Sequence, residues 1–211
     1  MNDNVLESQD RPARFLALGD SYTIGQSVSE SDRWPEQLVR TLSADKLEFD
    51  APTIIAQNGW TTRDLIDAIE ETQPVGPFDL VSLLIGVNNQ YDGLSEHDYV
   101  AELDLLLQIS IDLAGGNKNR VIVLSIPDWS VTPFAESRDR GVIRQQIDTF
   151  NGLKKQRVDL VQCPYVDVTD SSRLAANDLS LLAGDGLHPS AKMYASWCER
   201  VFPVVKKAFV E

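Results

Sequence analysis

The chain has 211 residues and a formal net charge of −13, with 19 Lys and Arg against 32 Asp and Glu. That balance argues against nucleic acid and against stable association with anionic membrane surfaces, whose phosphates attract Lys and Arg. Hydrophobic residues make up 43%, enough for one domain with a substantial core. No run approaches the roughly 18 apolar residues of a membrane-crossing helix.

Taken in order, residues 1–14 carry Asp3, Glu7 and Asp10 and no apolar block, so they read as a mobile arm rather than a secretory signal. Residues 15–211 read as a single domain, with the cytoplasm as its expected location. Phe15–Leu18 is a short apolar run suited to a buried strand, stopped by Gly19-Asp20-Ser21. Trp34–Ala44 has Leu38, Val39 and Leu42 at helical spacing, with Pro35 suited to a first turn. Thr53–Ala56 is a second strand. Thr61–Thr72 is a helix whose Thr61 and Asp64 form a start signal. Leu80–Ile85, apolar apart from Ser82, has the pattern of a strand buried on both faces.

Ser95–Leu113 is a long helix with Gly115 and Gly116 past its end, and Val121–Ile126 is a fourth strand ended by Pro127. Asp139–Val161 has helical periodicity, weakened in the middle by Gly152. Tyr165–Val168 is a fifth strand. Ser190–Val201 is a final helix that Pro203 interrupts, leaving Val204–Phe209 as a separate helical segment. Strands alternating with helices imply an α/β fold. Right-handed crossovers then give a three-layer α/β/α arrangement with a five-stranded parallel sheet, in flavodoxin-like order. Cys163 and Cys198, the only two cysteines, sit beside apolar residues and read as buried free thiols.

The residues just past each strand carry the chemistry. They are Gly19, Asp20 and Ser21; then Asn58, Gly59 and Trp60; then Gly86, Val87, Asn88 and Asn89; then Pro127, Asp128 and Trp129. In a parallel sheet these loops share one edge, where ligands bind. Asp185 and His188 precede the last helix, and the chain has only two histidines. A serine needs a base to attack a carbonyl, and the base needs a carboxylate to orient it. Ser21 is thus the candidate nucleophile, His188 the general base and Asp185 its orienting acid. The backbone N–H groups of Ser21 and Gly59 and the amide of Asn88 are candidate oxyanion donors, glycine at 59 allowing close backbone approach. Asp20 reads as structural in its turn, and His97 as a solvated surface residue. Tyr22, Trp60, Asn89, Asp128 and Trp129 are candidate substrate contacts, with Phe134 a further aromatic near the cleft.

These blocks resemble the SGNH hydrolases of the GDSL esterase/lipase superfamily. Gly19-Asp20-Ser21 matches the nucleophile block, with Tyr22 where the leucine would stand. Gly59 matches the block that donates an oxyanion N–H. Gly86-Val87-Asn88-Asn89 matches Gly-x-Asn-Asp, with Asn89 replacing the aspartate. Asp185-Gly186-Leu187-His188 matches Asp-x-x-His. The resemblance implies a flavodoxin-like domain, a Ser-His-Asp triad, and neither metal nor cofactor. It implies a serine esterase acting on small-molecule esters through an acyl-enzyme. The polar residues at 89–92 and 128–132 lean the expectation toward small or polar esters. Acyl thioesters and lysophospholipids fit the same machinery. A flavodoxin-type electron carrier, with residues 21–25 cradling a phosphate, is the reading from another class; it leaves Asp185 and His188 without a role.

Overall fold

In a computed structural model of the protein, residues 11–210 are described. Five parallel strands, β1 Phe15–Gly19, β2 Thr53–Ala56, β3 Leu80–Leu84, β4 Val121–Leu124 and β5 Tyr165–Val166, form one sheet in the order β2-β1-β3-β4-β5. This is the expected flavodoxin-like order. β1, β3 and β4 are buried at every residue, as apolar strands covered on both faces must be.

The helices are α1 Ser21–Ile24, α2 Trp34–Ala44, α3 Thr62–Thr72, α4 Val87–Tyr91, α5 Glu96–Leu113, α6 Arg140–Val161, α7 Thr169–Arg173 and α8 Ala191–Val210. α2 packs on α8 in one layer; α3, α5 and α6 pack in series in the other. The start signals act as caps. Thr61 and Asp64 complete a capping box, Ser95 accepts from the Asp98 amide, and Asp139 accepts from the amides of Gly141 and Val142.

One expectation for the helices is borne out and one is corrected. α6 runs unbroken through Gly152, whose flexibility is outweighed by the buried face of Ile143, Ile147, Phe150 and Val158. α8 is continuous through Pro203. Val201 and Val205 are buried on either side of that proline, and Lys206 ion-pairs with Asp45 at 2.7 Å, so tertiary contacts hold both halves in line. Of the expected arm, residues 1–10 lie outside the described residues, while residues 11–14 are docked. Arg11 donates to Asp79 at 2.8 Å, and buried Ala13 bridges to Phe49. Both cysteines are buried and free, and burial pushes the Cys163 thiol up to about 11 and the Cys198 thiol up to about 12.

Candidate active site

The strand register fixes where the site is. Gly19 lies beside Ala56 on one side and Leu84 on the other, so β1, β2 and β3 end in line. The residues that follow these ends, Ser21, Gly59 and Asn88, therefore emerge on one edge of the sheet. Gly19 itself admits no side chain: a Cβ there would stand 2.5 Å from the Leu84 carbonyl oxygen and 2.2 Å from Thr23 Oγ1. Asp20, fully buried, accepts from the Tyr22 amide at 2.9 Å and so caps the turn that presents Ser21. Burial, chiefly, raises its carboxyl to about 7, opposed by the Tyr22 amide and by Lys154. Lys154 is buried too, its ammonium lowered by burial to about 7, and it donates to the carbonyls of Ile85 and Leu124 at the ends of β3 and β4.

Asp185 and His188 meet as their spacing predicts. His188 Nδ1 lies 2.7 Å from Asp185 Oδ2, and Asp185 Oδ1 accepts from the amides of Leu187 and His188, both at 2.9 Å. Partial burial works to raise the Asp185 carboxyl, but hydrogen bonds from Ser27, His188 and those amides outweigh it and hold the pKa down at about 2. The ionised carboxylate can only accept, so Nδ1 carries the proton of this bond and Nε2 faces away from Asp185. Tyr22 packs its ring 5.5 Å from that of His188. Burial, with Asp20, Asp128 and Asp185 nearby, pushes its phenol well above the ordinary range.

On the other side, Asn88 Nδ2 donates to the Trp60 carbonyl at 2.8 Å. One amide hydrogen is thereby used and the second remains. The bond also ties the Gly59 loop to α4. Gly59 has a φ of +84°, while a Cβ on it would meet nothing within 4 Å. Its positive φ is one that glycine adopts without strain, and the space beside its Cα is open.

Two expected substrate contacts serve the framework instead. Asp128 is 1% exposed, accepts from the Ser130 amide at 2.9 Å and pairs with Arg173 at 2.8 Å. Asn89 is also 1% exposed. Its Oδ1 accepts from the Thr62 amide at 3.0 Å and its Nδ2 donates to Thr62 Oγ1 at 2.6 Å, while that hydroxyl donates to Glu102. The direction of this chain explains the departure from Gly-x-Asn-Asp. Thr62 has one proton, and Glu102 takes it, so residue 89 must donate. Asn89→Asp should therefore destabilise the protein by about 1–3 kcal/mol. Adding Glu102→Gln should restore most of the loss, because the chain can then run in reverse. A thermal double-mutant cycle reads the coupling, and additive losses would refute it.

A cleft of about 290 Å³ is lined by Ser21, His188 and Asn88, with walls that include Tyr91, Trp129 and Phe134. Trp129 is fixed by its indole N–H donating to Gln90 at 2.8 Å. The guanidinium of Arg138 lies over the ring of Tyr91, 4.5 Å from its centroid, and donates to the Tyr91 hydroxyl at 2.7 Å. Trp60 is half-buried against the core and contributes its carbonyl. Among the described residues, no group of three His, Cys, Asp or Glu side chains is placed to hold a metal ion. None of the described helices is long and apolar enough to cross a membrane.

Residues 17–195 match the GDSL-like lipase/acylhydrolase family, a span that contains every block described above. The chain belongs to that family. This GDSL hydrolase has no match among curated proteins at a significant level. Its fold recurs in solved structures. TesA aligns with a TM-score of 0.73 and 17% identity, over 92% of this chain and 99% of that one. The acetylxylan esterase Axe2 from Geobacillus stearothermophilus aligns at 0.64 and 21%, over 94% of each chain. The psychrotrophic esterase EstA from Pseudoalteromonas sp., in a form inhibited by monoethylphosphonate, aligns at 0.64 and 17%, over 92% and 97%. As a GDSL-family enzyme the protein hydrolyses ester bonds of small-molecule substrates. The electron-carrier reading finds no support in these matches.

Several features of this GDSL hydrolase's cleft have no signal in the sequence. Val87 and Leu187 lie inside the matched blocks and Tyr91 in the polar 89–92 loop, but nothing in the chain marks their side chains as cleft walls, which all three are. Arg138 belongs to none of the blocks above. Ser27 Oγ donates to Asp185 Oδ2 at 2.6 Å from 158 residues away, and no local pattern announces it.

Proposed function

We propose that the protein is a serine esterase that works through a Ser21–His188–Asp185 triad on small carboxylic esters with a compact apolar group beside the reacting carbonyl. The observation that carries this reading is the single cleft shared by Ser21, His188 and Asn88, with Asp185 hydrogen-bonded behind the histidine. Ser21 Oγ attacks the ester carbonyl carbon as its proton passes to His188 Nε2. The carbonyl oxygen becomes an oxyanion received by the amides of Ser21 and Gly59 and the second Nδ2 hydrogen of Asn88. Collapse returns the proton from His188 to the departing alcohol and leaves an acyl-serine. Water, deprotonated by the same histidine, then releases the acid.

Cleft size and lining support this substrate class. About 290 Å³ is at the small end of ligand pockets. Beyond Ser21, His188, Asn88 and the polar Asn58, the lining is aromatic and aliphatic, and of the polar residues that favoured polar esters, Asn89 and Asp128 are turned inward. A p-nitrophenyl ester series from acetyl to palmitoyl, with acetylated sugars included, tests this. Turnover should be best with short acyl groups and fall steeply toward palmitoyl; a preference for long chains would refute the size argument.

Asn88→Ala should lower kcat on the order of 100- to 1000-fold while leaving KM nearly unchanged. The oxyanion exists only along the reaction path, so ground-state binding is spared. Steady-state kinetics with a melting curve check this. Near-normal kcat, or loss only through unfolding, would remove Asn88 from the oxyanion hole.

A further inference from the structure

Asp185 accepts four hydrogen bonds, and three come from its own loop: the Leu187 amide, the His188 amide and His188 Nδ1. These set the carboxylate relative to the imidazole. They do nothing to set either group relative to Ser21. The fourth bond, from Ser27 Oγ at 2.6 Å, does. It is the one hydrogen bond among the described residues that joins residues 20–28, which carry the nucleophile, to residues 183–190, which carry the acid and base.

The backbone at Ser27 shows what the hydroxyl is for. Its φ is +67°, in the left-handed region that burdens any side chain and suits glycine. The residue is exposed, so packing does not call for a side chain there. Fold alone would favour glycine at this position. What serine supplies is a donor aimed at Asp185 Oδ2, on the oxygen that also receives the imidazole proton.

We infer that Ser27 is a positioning residue for catalysis: its hydroxyl ties the nucleophile-bearing turn to Asp185 and so holds His188 in register with Ser21. This rests on the triad reading above. With the hydroxyl removed, the acid and base keep their mutual geometry but drift together relative to Ser21 Oγ. Displacements of this kind, well under a residue's width, cost large factors in rate because attack needs near-contact geometry.

Glycine and alanine separate this role from a structural one, because they remove the same hydroxyl with opposite effects on the backbone. Ser27→Gly relieves the left-handed conformation; Ser27→Ala keeps it without the hydrogen bond. In the full-length protein, assayed with p-nitrophenyl acetate, both variants should lose kcat on the order of 10- to 100-fold, with KM nearly unchanged. Their melting temperatures should diverge, Gly at or above Ala. Activity that follows the melting temperature, or wild-type kcat in the glycine variant, would overturn the proposal. Ser21→Ala is run beside them. If that variant keeps wild-type turnover, the triad reading itself falls and takes this one with it; if it is inactive while Ser27→Gly is not, only the Ser27 role falls.

Discussion

Ser21→Ala should abolish both ester turnover and covalent labelling by a fluorophosphonate, leaving the fold intact. The change removes one hydroxyl from a cleft-lining position whose surroundings are held by other groups: Asp20 capping the Tyr22 amide, and β1 ladders on both sides. Nothing structural depends on Ser21 Oγ, so circular dichroism and the melting curve should be unchanged. Where serine and histidine act as one unit, losing either costs roughly a million-fold in kcat. Mass spectrometry of the labelled wild type should place the adduct on Ser21. An adduct on another serine, or turnover surviving in the variant, would refute the assignment.

Asp185→Asn should cost roughly 10⁴-fold in kcat. The carboxylate now accepts on both oxygens, from two backbone amides on Oδ1 and from His188 Nδ1 and Ser27 on Oδ2. An amide can offer only one accepting oxygen. Its NH2 group must face either the two backbone N–H groups or the imidazole, and facing the imidazole favours the tautomer with its proton on Nε2. His188→Ala should match Ser21→Ala, and the double variant should be no worse than either alone. The pH dependence follows from the same contacts. A carboxyl lowered to about 2 stays ionised far below its unfolded value, so the stability it contributes is present above roughly pH 4 and lost as pH falls through about 2. Loss of the Asp185 charge therefore plays no part in the rate profile above roughly pH 4.

Much of this was legible in the chain because it is local. Phe15–Leu18, Leu80–Leu84 and Val121–Leu124 are apolar enough to permit only buried strands, and the strand ends then bring Ser21, Gly59 and Asn88 to one edge. Asp185 and His188 are three residues apart, so their pairing is nearly a property of the loop itself. What was hidden depends on partners distant in sequence. Asn89 and Asp128 are polar and sit beside the cleft, yet Thr62 and Arg173 claim them, from other elements. Pro203 breaks the local pattern, and α8 continues because of what it packs against. The helical turns of α1, α4 and α7, four or five residues each, are too short for periodicity to register.

The strand order carries a consequence for how the protein is made. β1 is the first strand among the described residues, yet it lies between β2 and β3. As the chain leaves the ribosome, this apolar strand has two open edges, and the second is covered only when Leu80–Leu84 has followed. The nascent chain thus presents an aggregation-prone segment for a long stretch of synthesis, the interval in which chaperones act on such folds. Over the same interval Ser21 has neither Asp185 nor His188 beside it. Asp185 and His188 are made long after it, just ahead of α8, which docks on α2. On the triad proposed above, an unfinished chain carries Ser21 without its base.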